Sequence, residues 1–116
     1  MVVDDDRDIV LVVKAGLEQN GYLVDTFTSS REAMSRFKPG FYDLVLLDYL
    51  MPRMSGSELY QQIKEADPQV KFIVLSLYEI DNVNAFKEFP GINPSSIMRK
   101  PSYMRQIIDK VNQLLV

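Results

Sequence analysis

The sequence predicts an α/β fold, a doubly wound parallel sheet of five strands with helices on both faces, in one domain over residues 1–116. Three observations lead there. Short apolar runs alternate with longer amphipathic ones along the whole chain, the pattern of repeated βαβ units. Leu44–Leu47 and Phe72–Leu75 are apolar without interruption, as strands covered on both faces require. The 116 residues suit one domain with a real core, and no repeat or Gly/Ser-rich linker divides them.

Each element follows from its residues. Met1–Val3 is a very short strand that runs into Asp4, Asp5 and Asp6. Asp8 to Asn20 reads as a helix, with Ile9, Val12, Val13 and Leu17 at helical spacing and Asn20-Gly21 as the stop. Gly16 inside it costs about 1 kcal/mol relative to Ala, which packing must offset. Leu23–Phe27 is a second strand. Ser29 or Ser30 caps a helix carrying Ala33, Met34 and Phe37, and Pro39-Gly40 ends it.

Leu44–Leu47 ends at Asp48. A turn over Tyr49–Ser55, containing Pro52, leads into a helix from Ser57 to Ala66. Phe72–Leu75 ends at Ser76. A helix of weak pattern covers Asp81–Phe89 before Pro90, Gly91 and Pro94 break the chain. Ser96–Arg99 is the last strand, ending at Lys100-Pro101. The closing helix carries Met104, Ile107, Ile108, Val111, Leu114 and Leu115 on one apolar face.

Composition removes several kinds of chemistry. The chain has no cysteine and no histidine, so thiolate sites, disulfides and imidazole catalysis are excluded. Carboxylates, Lys, Ser/Thr and Tyr remain. A formal net charge of -3 offers no basic stripe for nucleic acid. No apolar run approaches the ~20 residues that span a bilayer, and the early acidic residues do not suit a secretory signal. The expected location is the cytoplasm, with no membrane insertion.

In parallel sheets of this kind ligands bind beyond the carboxyl ends of the strands. The residues at those ends are Asp4 and Asp5, Asp48, Ser76 and Lys100. Taken singly, each has an ordinary reading: a solvated acidic turn, a loop cap, a backbone-bonded hydroxyl, a surface lysine. Brought to one rim, three carboxylates resist simultaneous ionisation, and a hard cation relieves that repulsion. Mg²⁺ is bound by one or two carboxylates with phosphate oxygens and water. A hydroxyl and an ammonium beside it complete a set suited to phosphoryl transfer, in which a carboxylate can be the nucleophile.

Val2-Val3-Asp4-Asp5-Asp6, Leu46–Gly56 (with Asp48 and Met51-Pro52), Val74-Leu75-Ser76 and Lys100-Pro101 together resemble the receiver domain of two-component response regulators. The resemblance covers essentially the whole chain, and Asp48–Gly56 is its most specific part. It implies a flavodoxin-like fold with strand order 2-1-3-4-5. It implies that Asp48 accepts a phosphoryl group, with Mg²⁺, from a phosphohistidine on a sensor histidine kinase or phosphotransfer protein. The donor imidazole then belongs to the partner. Asp5 and Asp48 would bind Mg²⁺ directly, Asp4 through water, and the backbone carbonyl of Leu50 would add a ligand. Lys100 would pair with the phosphoryl group. Ser76 would turn inward to it and switch a partner-binding surface, and Pro101 would follow a cis peptide bond. On this reading the chain is a phosphoacceptor with phosphotransfer and self-dephosphorylation chemistry, not an enzyme acting on a separate substrate. A homodimer formed on phosphorylation belongs to the same pattern.

The sequence also departs from the family. The switch position usually held by an aromatic residue is Ile97, and Leu77 replaces a small residue after Ser76. Leu50 and Tyr78 are bulky at the two positions that influence attack of water on the acyl phosphate, which implies slow self-dephosphorylation. Residues 78–98 fit the family least, so partner identity and dimer geometry do not carry over. Two other readings stand beside the first. A degenerate receiver would bind partners without phosphorylation. A Mg²⁺-dependent phosphohydrolase would need a general-acid carboxylate two residues past Asp48, where Leu50 stands.

Overall fold

The computed structural model describes residues 1–102 and 104–115. Its strands are β1 (Val2–Val3), β2 (Thr26–Phe27), β3 (Leu44–Asp48), β4 (Lys71–Ser76) and β5 (Ile97–Arg99). Its helices are α1 (Arg7–Gln19), α2 (Ser30–Arg36), α3 (Gly56–Ala66), α4 (Asn82–Glu88) and α5 (Met104–Leu115). All strand pairs are parallel, in the order β2-β1-β3-β4-β5. The expected architecture and strand order are both present.

The pleat of the two central strands makes two cores. Val45 and Leu47 of β3 and Phe72 and Val74 of β4 face a cluster with Ala33, Leu59, Tyr60, Ile63 and Phe89. Leu44, Leu46, Ile73 and Leu75 face the opposite cluster, with Val10, Val13, Leu17, Ile107 and Val111. Helices α1 and α5 therefore cover one face, and α2 and α3 the other. All four apolar residues of β3 are buried, and each contributes about 1.5–3 kcal/mol on burial. This double cover holds Asp48 at a fixed depth.

Capping sets where the helices begin. Asp6 accepts from the amides of Asp8 and Ile9, so α1 starts one residue earlier than its apolar pattern indicates. Ser29, not Ser30, caps α2, and Ser55 caps α3; each has a Glu three residues on, at the capping-box position. Val10 replaces Val12 on the buried face of α1, and Val12 is exposed. A Cβ on Gly16 would come within 2.4 Å of the terminal methyl of Met104, the flexible end of an α5 side chain that packs on α1 here.

Three strands are shorter than expected, β1 by the single residue Met1. β2 is reduced to Thr26–Phe27, because Gly21 at φ 88° and the Tyr22 amide bonded to the Leu17 carbonyl are still closing α1. Leu23 is fully exposed. β5 begins at Ile97, because Ser96 belongs to a 3-10 turn, Pro94–Ser96, capped by Asn93.

Candidate functional site

The carboxyl ends of β1, β3, β4 and β5 bring Asp4, Asp5, Asp48, Ser76 and Lys100 to one rim of the sheet. Asp4 and Asp48 are buried and Asp5 is exposed. Asp4 has no exposed surface, yet one of its oxygens accepts from the Asp6 amide at 2.9 Å. One carboxylate oxygen from each of Asp4, Asp5 and Asp48 lies within 4.8 Å of the others. That spacing suits oxygen ligands around one small cation.

Lys100 supplies positive charge from β5. Its Nζ is 2.9 Å from Asp4 Oδ2 and 2.9 Å from Asp48 Oδ1, so one ammonium bridges the two buried carboxylates. Its backbone amide donates to the Ser76 carbonyl at 2.7 Å, and the peptide bond to Pro101 is cis. Burial raises the pKa of Asp48; the Lys100 hydrogen bond opposes this, and the charges of Asp4 and Asp5 add to it. Burial lowers that of Lys100, but its two carboxylate partners outweigh this and hold the ammonium above its usual range.

The turn after Asp48 explains a glycine. A Cβ on Gly56 would collide with the Asp48 carbonyl and lie 2.9 Å from the Tyr49 carbonyl and 3.0 Å from Leu47 Cδ1. The Gly56 amide donates to the Tyr49 carbonyl at 2.9 Å, folding the turn back onto its own start. Arg53 takes a positive φ of 70° within this turn.

Three of the expected residues sit differently from the carboxylates. Ser76 is buried, but its hydroxyl donates to the Tyr78 carbonyl at 2.8 Å and accepts from the Tyr78 amide at 3.0 Å. It is engaged with the β4–α4 turn. Leu50 lies on that exposed turn after Asp48, with a solvent-facing side chain. Ile97, paired in register with Val74, is half-buried and packs against the core cluster of Val45, Leu47 and Phe89. Leu77 and Tyr78 are both exposed.

One polar contact next to the site had no signal in the sequence. The Tyr49 hydroxyl donates to Glu88 Oε2, across 39 positions of chain. No spacing rule links these two residues.

Comparison with known proteins points one way. The profile of the family described as "Response regulator receiver domain" matches residues 1–112. The chain is 26% identical to the response regulator receiver protein CpdR of Brucella abortus, over all of this chain and 95% of that protein. It is 30% identical to the response regulator SaeR of Staphylococcus aureus, but spans about half (49%) of its length. Among solved structures, a CheY-like receiver domain protein from Methanospirillum hungatei superposes with a TM-score of 0.85 at 27% identity, over 98% of this chain and 90% of that one. The response regulator TrrA of Thermotoga maritima, solved in complex with Mg²⁺-BeF, gives 0.81 at 31% identity, over 98% and 96%.

Proposed function

We propose, for a chain that belongs to the response regulator receiver family, that Asp48 takes a phosphoryl group from a phosphohistidine of a sensor histidine kinase or phosphotransfer protein. The observation that carries this reading is the surroundings of Asp48. It ends a fully buried strand, touches an ammonium at 2.9 Å, and lies within 4.8 Å of two further carboxylates. In the reaction a carboxylate oxygen of Asp48 attacks phosphorus, the P–N bond breaks, and the imidazole leaves with the bonding pair. The product is an acyl phosphate on Asp48.

The donor set fits a hard divalent cation: three close carboxylates, with a single lysine to offset their charge. Asp5 and Asp48 would hold Mg²⁺ directly, Asp4 through water, and the Leu50 carbonyl would add a ligand. When bound, Mg²⁺ neutralises charge on the phosphoryl oxygens. The Mg²⁺-BeF complex of the similar TrrA supports this assignment. Lys100 gives up one carboxylate contact and pairs with the phosphoryl group. Ser76 breaks its two bonds to Tyr78 and donates to a phosphoryl oxygen, which releases the β4–α4 turn and switches the surface presented to an effector or a second copy of the chain. Among the described residues no helix is long and apolar enough to cross a membrane. Exchange of a phosphoryl group with a sensor kinase would take place in the cytoplasm, without nucleic acid bound to this domain itself.

Incubation with acetyl phosphate and Mg²⁺, followed by intact mass, tests the assignment. Wild type gains one phosphoryl group, and Asp48→Asn gains none. Modification that persists in Asp48→Asn refutes it.

A further inference from the structure

Residues 78–98 fit the family pattern least, and the structure ties the end of α4 in that segment directly to the phosphoacceptor strand. Tyr49 follows Asp48 and is half-buried. Its ring meets that of Phe89 edge-on, with centroids 5.8 Å apart, and Phe89 in turn meets Tyr60 at 5.4 Å. The Tyr49 hydroxyl donates to the carboxylate of Glu88, the last residue of α4. Three more donors converge on the same short stretch. Ser57 Oγ reaches the Glu88 carbonyl at 3.0 Å, Gln61 Nε2 reaches it at 3.1 Å, and Tyr60 Oη reaches the Pro90 carbonyl at 2.6 Å.

Tyr49 is itself a fixed post. Its amide donates to the Leu75 carbonyl of β4, and its carbonyl accepts from Gly56 at the start of α3, both at 2.9 Å. The other end of α4 is held far less. Residues 81–84 are exposed, Val83 and Phe86 face solvent, and Ala85 is the only buried residue of the helix. The turn leading into α4 is joined to the sheet through the two Ser76–Tyr78 bonds.

We infer that Tyr49 is a positioning residue: its hydroxyl pins the C-terminal end of α4 to the phosphoacceptor strand, so release of the β4–α4 turn swings α4 about Glu88 and does not slide it as a whole. The inference rests on the phosphoacceptor reading of Asp48. It assigns to Tyr49 a mechanical task that Ile97, with no polar group, cannot perform. A donor facing a carboxylate makes one of the stronger hydrogen bonds.

Amide NMR shifts recorded with Mg²⁺ and without or with beryllofluoride test the pivot in wild type, Tyr49→Phe, Glu88→Ala and Glu88→Gln. In wild type, changes are large over residues 76–84 and fall to small values over 88–92. Tyr49→Phe keeps the ring but loses the donor, and Glu88→Ala loses the acceptor; in both, changes spread through 88–92. Glu88→Gln keeps an amide oxygen as acceptor and restores the wild-type gradient. Equal changes at both ends of α4 in wild type, an unaltered gradient in Tyr49→Phe and Glu88→Ala, or spreading in Glu88→Gln overturns the pivot alone. Absence of any change at Asp48 and Lys100 overturns the phosphoacceptor reading, and the pivot with it.

Discussion

Replacing Asp48 by Asn removes the proposed phosphoacceptor carboxylate, and the geometry around it predicts that this stabilises the metal-free protein. At an effective dielectric of about 20, the Lys100 ammonium at 2.9 Å attracts the Asp48 carboxylate by roughly 5–6 kcal/mol. Asp4, buried and within 4.8 Å, repels it by roughly 3 kcal/mol, and the exposed Asp5 by about 1 kcal/mol. These terms cancel to within about 1–2 kcal/mol, so desolvation decides, at several kcal/mol per buried ion. The raised pKa of Asp48, with burial its leading cause, agrees in direction. Asp48→Asn is therefore expected to be more stable than wild type by about 1–2 kcal/mol at neutral pH in EDTA, a rise in Tm of about 4 °C per kcal/mol. The pH dependence carries the same sign. A carboxyl group whose folded pKa exceeds its unfolded value of about 3.9 loses stability as pH rises through the folded value. The advantage of Asp48→Asn thus vanishes below about pH 4 and grows above it. Mg²⁺ reverses the order: at about a hundredfold over Kd it adds ~2.7 kcal/mol to wild type and less to the variant. Urea titrations with and without Mg²⁺ between pH 4 and 7 measure all of this. A neutral-pH loss of stability in Asp48→Asn without divalent ions, or a difference that ignores pH, would refute the reasoning.

Three other substitutions probe the same frame. Lys100→Ala strips two buried carboxylates of their shared cation and should cost about 2–4 kcal/mol in urea, partly recovered by Mg²⁺ because a second cation can replace the first. Gly56→Ala drives a methyl group into the Asp48 and Tyr49 carbonyls, for a loss of about 2–3 kcal/mol and slower labelling by acetyl phosphate; unchanged values would show that the turn can yield. Tyr60→Phe removes the bond to the Pro90 carbonyl and should cost about 1 kcal/mol by thermal melting, without changing the labelling of Asp48. In wild type the proposed acyl phosphate, followed by intact mass, should persist well beyond seconds if Leu50 and Tyr78, both exposed, still slow the attack of water as the sequence leads one to expect; loss within seconds would refute that expectation.

The sequence revealed most where burial and spacing speak together. Leu44–Leu47 and Phe72–Leu75 declared themselves central strands because both of their faces are covered, and the strand-end rule then delivered Asp4, Asp5, Asp48 and Lys100 to one rim. Edges were harder. Leu23 has the composition of a strand residue but no partner to pack on, since Gly21 and Tyr22 are still closing α1. Val12 fits a helical stripe as well as Val10 does, yet Val10 is the one buried and Val12 is exposed. Lys100 bridging Asp4 and Asp48, Ser76 bonded to Tyr78, and Tyr49 bonded to Glu88 all depend on how side chains settle across strands and loops. Two of these contacts span 96 and 39 positions of chain, and no local pattern encodes such distances.

The position of Lys100 has a consequence for how a cation enters. With its ammonium already resting on two of the three acidic groups, the protein carries a tethered counter-ion of its own. The acidic rim is thus held in shape without a metal, and on the proposed reading metal entry would be an exchange of partners and not an ordering of a loose loop. A lysine exchanged in this way would stay attached within reach, free to meet a phosphoryl group on Asp48. On the proposed reading a single side chain would then balance charge in the resting, cation-bound and phosphorylated states in turn.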